Sequence, residues 1–160
     1  MKIENRIYFR AFELDDYKTI IKWRRDKEIS SMISGNKYFT SDYLEKKWIE
    51  NNLNDDKNIK LAVCMQKNDK HIGNVYLTNI DWINKSAEFH KIIGEKSEWG
   101  KGYGTELTFL ALKFAFYERN LNRVYAFQIE DNIKSIKVNL KCGFKREGIL
   151  RQSIYKNGKY

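Results

Sequence analysis

No proline occurs in the 160 residues, so turns and helix ends must be read from Gly, Asn, Asp and Ser alone. Cysteine and histidine are scarce. Cys64 and Cys142 stand far apart, His71 and His90 are the only histidines, and no metal-ligand spacing connects them, so no metal site is expected. Both thiols read as small core residues. No apolar run reaches membrane-spanning length, and the opening MKIENRIYFR lacks the apolar stretch of a signal peptide, so a cytoplasmic protein without a membrane partner is expected. Repeats and low-complexity segments are also missing.

What is present suits a folded chain. Hydrophobic residues make up 42%, aromatics 14% and charged residues 32%, and the length fits one domain over residues 1–160. Lys and Arg total 30 against 21 Asp and Glu, a net charge of +9 that favours anionic partners. The basic residues are scattered, and clusters such as Lys22-Trp23-Arg24-Arg25 and Lys145-Arg146 are short. They read as a solvated surface rather than a nucleic-acid groove, and a phosphate-bearing small molecule exploits the same field.

Alternation over Arg6 to Phe12 predicts a first strand with Ile7, Phe9 and Ala11 on one face. A helix follows from Leu14 to Asp26, with Tyr17, Ile20, Ile21 and Arg24 at helical spacing. Glu28 to Phe39 is irregular, with a turn at Gly35-Asn36, and a second helix after Thr40-Ser41-Asp42 is expected to bury Leu44, Trp48 and Ile49. Lys60 to Gln66, His71 to Ile80 and Ser86 to Ile93 predict an antiparallel meander. The helix after it carries Leu107, Leu110, Ala111, Phe114 and Tyr117 on one face. Arg123 to Glu130 is a strand, joined through that helix as a crossover and therefore parallel to Ser86–Ile93. Asp131-Asn132 caps a short helix ended by Gly143, and Phe144 to Ser153 predicts a strand leading to a final hairpin turn at Tyr155 to Tyr160. A return strand is expected beyond Tyr160.

The stretch that organises the chain is SAEFHKIIGEKSEWGKGYGTELTFLALKFAF, Ser86 to Phe116. Its glycine-rich turn, Trp99 to Gly104, feeds a helix expected to start near Thr105. Unpartnered backbone N–H groups converge there with the positive end of the helix dipole. Lys101 adds a cation, and Gly100, Gly102 and Gly104 let a ligand approach the backbone, so the turn is a cradle for phosphate or pyrophosphate. The late position of the turn argues against a dinucleotide fold, and the absence of Gly-Lys-Ser or Gly-Lys-Thr argues against a nucleotide-hydrolysing P-loop.

Two motifs resemble the GNAT superfamily of acetyl-CoA-dependent N-acetyltransferases, in the branch holding ribosomal-protein and polyamine acetyltransferases. Trp99-Gly100-Lys101-Gly102-Tyr103-Gly104-Thr105-Glu106 is similar to that family's pyrophosphate loop. Asn132-x-x-Ser135, with Lys141-Cys142-Gly143-Phe144-Lys145-Arg146-Glu147-Gly148 after it, is similar to its cofactor-flanking helix. The resemblance implies an α/β (α+β) fold, a mixed and mostly antiparallel sheet flanked by helices, in which two splayed parallel strands form the cleft for acetyl-CoA. It implies backbone contacts to the cofactor at Ile92 and Ile93, a pyrophosphate held by Gly100, Lys101, Gly102, Tyr103, Gly104 and Thr105, and further contacts from Asn132 and Ser135. Many family members carry a Tyr four residues after the Ser to protonate the departing thiolate, and here that position is Asn139.

The reaction so implied is direct attack of a primary amine on the thioester, which needs a proton acceptor. Glu88 and His90 lie on one face of the strand before the loop and are the candidates. Trp23 and Arg24, with Arg25, Asp26, Tyr38 and Trp48 nearby, are the candidates for the acceptor side. The acceptor stays open among a polyamine, a protein N-terminus, an amino sugar nucleotide and an aminoglycoside-like drug, and the +9 charge weighs against a polycation. The partner is then a small-molecule or protein amine, with a homodimer as an option. The rival readings are an inactive acyl-CoA sensor of the same fold and a nucleic-acid-binding protein.

Overall fold

The computed structural model describes residues 4–33, 39–156 and 158–160. Five strands form one sheet in the order β1-β2-β3-β4-β5: β1 Ile7–Ala11, β2 Ile59–Met65, β3 His71–Asp81, β4 Ser86–Ile93 and β5 Arg123–Tyr125. The first four run antiparallel to their neighbours, and β5 lies parallel to β4. The helices are α1 Tyr17–Arg25, α2 Lys27–Met32, α3 Asp42–Leu53, α4 Tyr103–Lys113 and α5 Ile133–Lys141. The turn expected at Gly35-Asn36 and the candidate Tyr38 lie outside the described residues.

Helices cover both faces of the sheet, which is why central β2 carries an unbroken apolar run, Ala62 to Met65, at most 1% exposed. One core joins Val63, Val75, Leu77, Ala87 and Phe89 to Leu107 and Ala111 of α4. The other joins Ala62, Cys64 and Phe12 to Ile20 and Trp23 of α1, Ile29 of α2 and Ile49 of α3. On β4 the alternation therefore sends Ala87, Phe89 and Ile93 to the α4 side, and Glu88, His90 and Ile92 to the α1–α3 side.

Several expectations shift. Leu44 is 55% exposed, and Glu45 turns inward instead at 1% exposure, because its carboxylate meets Arg24 of α1 at 2.7 Å. Tyr117 leaves the apolar face of α4. A π turn over Phe114–Glu118, closed by Arg119 N–H to the Phe114 carbonyl at 3.0 Å, adds a residue to the helical register and swings Tyr117 out to 84% exposure. The strand expected over 123–130 stops at Tyr125. Phe144 to Ser153 forms no strand, since β5 leaves the sheet after three residues and offers no ladder to extend, and Ile149 and Leu150 remain 62% exposed. The last turn is closed by a bridge between Lys156 and Lys159.

Glu106, in the first turn of α4, is 5% exposed and anchors β1 to that helix. Its carboxylate accepts the Arg6 backbone N–H at 2.6 Å, the Ile7 N–H at 3.3 Å and Arg6 Nε at 2.9 Å. Glu106→Ala strands these donors, so stability is expected to fall by about 2–3 kcal/mol. A thermal melt should show this as a drop of roughly 5–10 °C. An unchanged melting temperature would dismiss the anchor.

Candidate active site

The cleft opens where β4 and β5 part. Their parallel ladder runs only through Ser86/Arg123, Ala87/Val124 and Glu88/Tyr125, so Phe89 to Ile93 have no strand partner on that side. The Gly94 N–H bonds to the Ile72 carbonyl of β3 at 2.9 Å. By the two-residue alternation, the polar groups of Ile92 also turn to β3, and those of Lys91 and Ile93 face the opening. The Ile93 carbonyl is already taken by Trp99 Nε1 at 2.7 Å, which leaves the Ile93 N–H as the cleft's donor at that point. Ile92 offers only its side chain, to the α1–α3 core.

Past the end of β4, a short 3-10 turn over Lys96–Glu98 leads into the glycine loop. Gly100 and Gly102 adopt φ of 77° and 88°, left-handed values that side chains resist, and Gly102 is the N-cap of α4. Among the described residues, the amides of Lys101, Gly102, Tyr103 and Gly104 donate to no backbone carbonyl. A Cβ on Gly100 or Gly104 would meet nothing within 4 Å, so the loop has room over its backbone. Unpaired amides, open space and the helix dipole fit a pyrophosphate.

Thr105 differs from its neighbours. The helix starts at Tyr103, two residues before the expected point, so the Thr105 N–H is spent on the Gly102 carbonyl at 3.1 Å. Tyr103 is 7% exposed, which leaves its backbone to face a ligand. Lys101 Nζ pairs with Glu98 at 3.0 Å. Arg6 braces the loop from β1, donating to the Lys101 carbonyl at 3.1 Å and stacking 4.5 Å over Tyr103.

Asn132 caps α5, its Oδ1 accepting the Ser135 N–H at 3.2 Å, and its Nδ2 donates to the Met32 carbonyl of α2 at 3.0 Å. Ser135 Oγ accepts from Gln128 at 2.8 Å. The structure brings Glu88 and His90 together: Oε1 and Nε2 are 3.2 Å apart, Thr78 Oγ1 is 2.9 Å from the same ring nitrogen, and Asn79 holds the other carboxylate oxygen at 2.8 Å. Burial lowers the His90 pKa, opposed by the charge of Glu88, so the ring is neutral at pH 7 and can accept a proton.

Trp23 is 6% exposed and has little surface for a substrate. It packs 5.0 Å from His71 and so tightly over Gly94 that a Cβ there would lie 1.9 Å from the indole. Arg24 pairs with Glu45 and lies 4.7 Å over Trp48.

The sequence reading missed Lys91. Its Nζ donates to Thr108 Oγ1 of α4 at 2.7 Å and to Asn139 Oδ1 of α5, and burial depresses its pKa to about 8. The signal was a lysine in phase with Ala87, Phe89 and Ile93, where the alternation calls for an apolar residue. Among the described residues, no helix is long and apolar enough to cross a membrane.

Antiparallel strands feeding a parallel pair that opens beside a glycine-capped helix define an acyl-CoA-dependent transferase. The chain belongs to the acetyltransferase (GNAT) domain family, which matches residues 6–145. A spermidine N(1)-acetyltransferase of Vibrio cholerae is 31% identical over 159 residues, covering 99% of this chain and 90% of that protein. A probable N-acetyltransferase of Bacillus subtilis is 30% identical over 158 residues, covering 95% and 87%. The solved structure of the Vibrio cholerae spermidine N-acetyltransferase in complex with CoA and spermine is similar at a TM-score of 0.90 and 27% identity, over 98% of this chain and 91% of that one. The chain is an N-acetyltransferase that uses acetyl-CoA to acetylate an amine.

Proposed function

We propose that the acceptor is a polyamine of the spermidine type, acetylated at a primary amine by direct attack. The observation that carries this reading is the spermidine acetyltransferase relative spanning 99% of the chain at 31% identity. The Glu88–His90 pair, 3.2 Å apart at the inner end of the cleft, supports it. Net charge of +9 opposes a polycation at long range, but charges more than about 8 Å apart are largely screened at physiological ionic strength.

Acetyl-CoA supplies the electrophile, an acetyl group on a thioester. The amides of Lys101 to Gly104 hold its pyrophosphate, and the Ile93 N–H orients the arm along the free edge of β4. Glu88 or His90 takes the proton that the amine must shed. Arg24, tied to Glu45, and buried Trp23 shape the acceptor side from behind.

The test supplies acetyl-CoA with spermidine, spermine, an amino sugar nucleotide, a peptide N-terminus and an aminoglycoside, and follows CoA thiol release. Turnover with the two polyamines is expected. Turnover confined to another amine would overturn the acceptor, and tight acetyl-CoA binding with no turnover would favour the sensor.

A further inference from the structure

Lys91 sits in the middle of the β4 stretch that has lost β5 as a neighbour, and its side chain enters the space between α4 and α5. Two neutral oxygens hold its ammonium. Thr108 is fully buried and Asn139 is 4% exposed. Thr108 gives its own hydroxyl proton to the Gly104 carbonyl at 2.7 Å, so the oxygen facing Lys91 acts as an acceptor. Among the described residues, no carboxylate lies within ion-pair distance of Nζ. An ammonium has three donors, and two are accounted for.

A partly buried cation without a counter-charge costs free energy unless it meets an anion at some stage. The titratable group set against it is Cys142, the C-cap of α5, whose thiol burial keeps protonated, while Glu88 and His90 point to the opposite face of the sheet. Among the described residues, no protein anion answers Lys91.

The cleft suggests which anion does. One end holds the loop amides and the other is closed by the Glu88/Tyr125 pair, leaving about 17 Å of free β4 edge at roughly 3.3 Å per residue. An arm fixed by its pyrophosphate at the loop and threaded down this edge brings its sulfur to the inner half, beside Phe89 to Lys91. We propose that Lys91 is the proton donor to the CoA sulfur, acting with Asn139 in the place of a phenol. This rests on the acetyltransferase reading above.

Lys91 gives one N–H proton to the sulfur as the C–S bond breaks and its electron pair stays on sulfur. The amine's lone pair makes the new C–N bond, the proton the amine sheds passes to Glu88 or His90, and Lys91 regains a proton from water. Burial matches donor to recipient, since a thiol titrates at about 8.5 and Lys91 at about 8.

The test compares binding of CoA and desulfo-CoA by calorimetry at pH 7 for the wild type and Lys91→Met. The wild type is expected to bind CoA about tenfold more tightly than desulfo-CoA, because the Lys91 ammonium donates a hydrogen bond to the bound sulfur. Lys91→Met should bind the two alike, keep the wild-type affinity for desulfo-CoA and lose roughly tenfold in kcat, less than a general acid usually contributes because thiolate leaves readily. Lys91→Leu, which also lacks a donor, serves if the Met variant does not fold. Retained discrimination between CoA and desulfo-CoA in these variants would overturn Lys91 as donor while the acetyltransferase reading stands. A wild type that binds neither ligand would sink both.

Discussion

Gly102→Val is expected to weaken acetyl-CoA binding by roughly 10- to 100-fold. Gly102 has φ of 88°, a region that costs a β-branched residue about 1–3 kcal/mol, so valine rotates the backbone and turns the loop amides away from their point of convergence. A hydrogen bond to a charged group contributes about 1.5–3 kcal/mol, and each 1.4 kcal/mol is tenfold in affinity. The new Cβ itself would make only an ordinary contact, 3.4 Å from Arg6 Nη2, so the loss comes from the backbone. Calorimetric titration checks the affinity, and a thermal melt alongside separates a distorted loop from an unfolded protein. Wild-type affinity in a folded variant would dismiss the loop as the pyrophosphate site.

Glu88→Gln acts on the other end of the cleft. It keeps an oxygen for Asn79 to bond and removes the negative charge beside His90, so kcat with spermidine should fall about 100-fold while the Kd for acetyl-CoA stays within error. Loss of that charge also removes the influence that raises the His90 pKa, leaving a more weakly basic imidazole. A parallel His90→Gln variant assigns the role. If only the histidine variant is impaired, His90 takes the proton and Glu88 tunes it; if neither is, the base lies elsewhere.

The meander was legible because its signals are local. β4 spans Ser86–Ile93, as the alternation requires, and the Lys67-Asn68-Asp69-Lys70 and Asp81-to-Lys85 connections carry turn residues at the strand ends. The glycine loop was legible for the same reason. The end of β5 was not, since 126–130 are as strand-forming as Arg123–Tyr125, and only their departure from β4 makes them loop. Glu45 was hidden because its burial depends on an arginine 21 residues earlier. A single π turn has no residue signature, so Tyr117 was placed on the wrong face. Asn132 reads as a helix cap in sequence, and its second bond, to Met32, joins residues 100 apart.

The parallel pairing of β4 with β5 carries a consequence for how the chain folds. The first four strands pair antiparallel to one another, and β2, β3 and β4 close through short turns, whereas β5 must wait for the whole of the loop and α4 to cross over. Closing that longer connection costs more chain entropy, and the Glu106 bond to the Arg6 amide spans 100 residues, so the meander can assemble before the walls of the cleft exist. The nascent chain therefore acquires its catalytic space last. A ligand that binds only the completed cleft then acts as a thermodynamic clasp on the final folding step, holding the crossover shut by mass action.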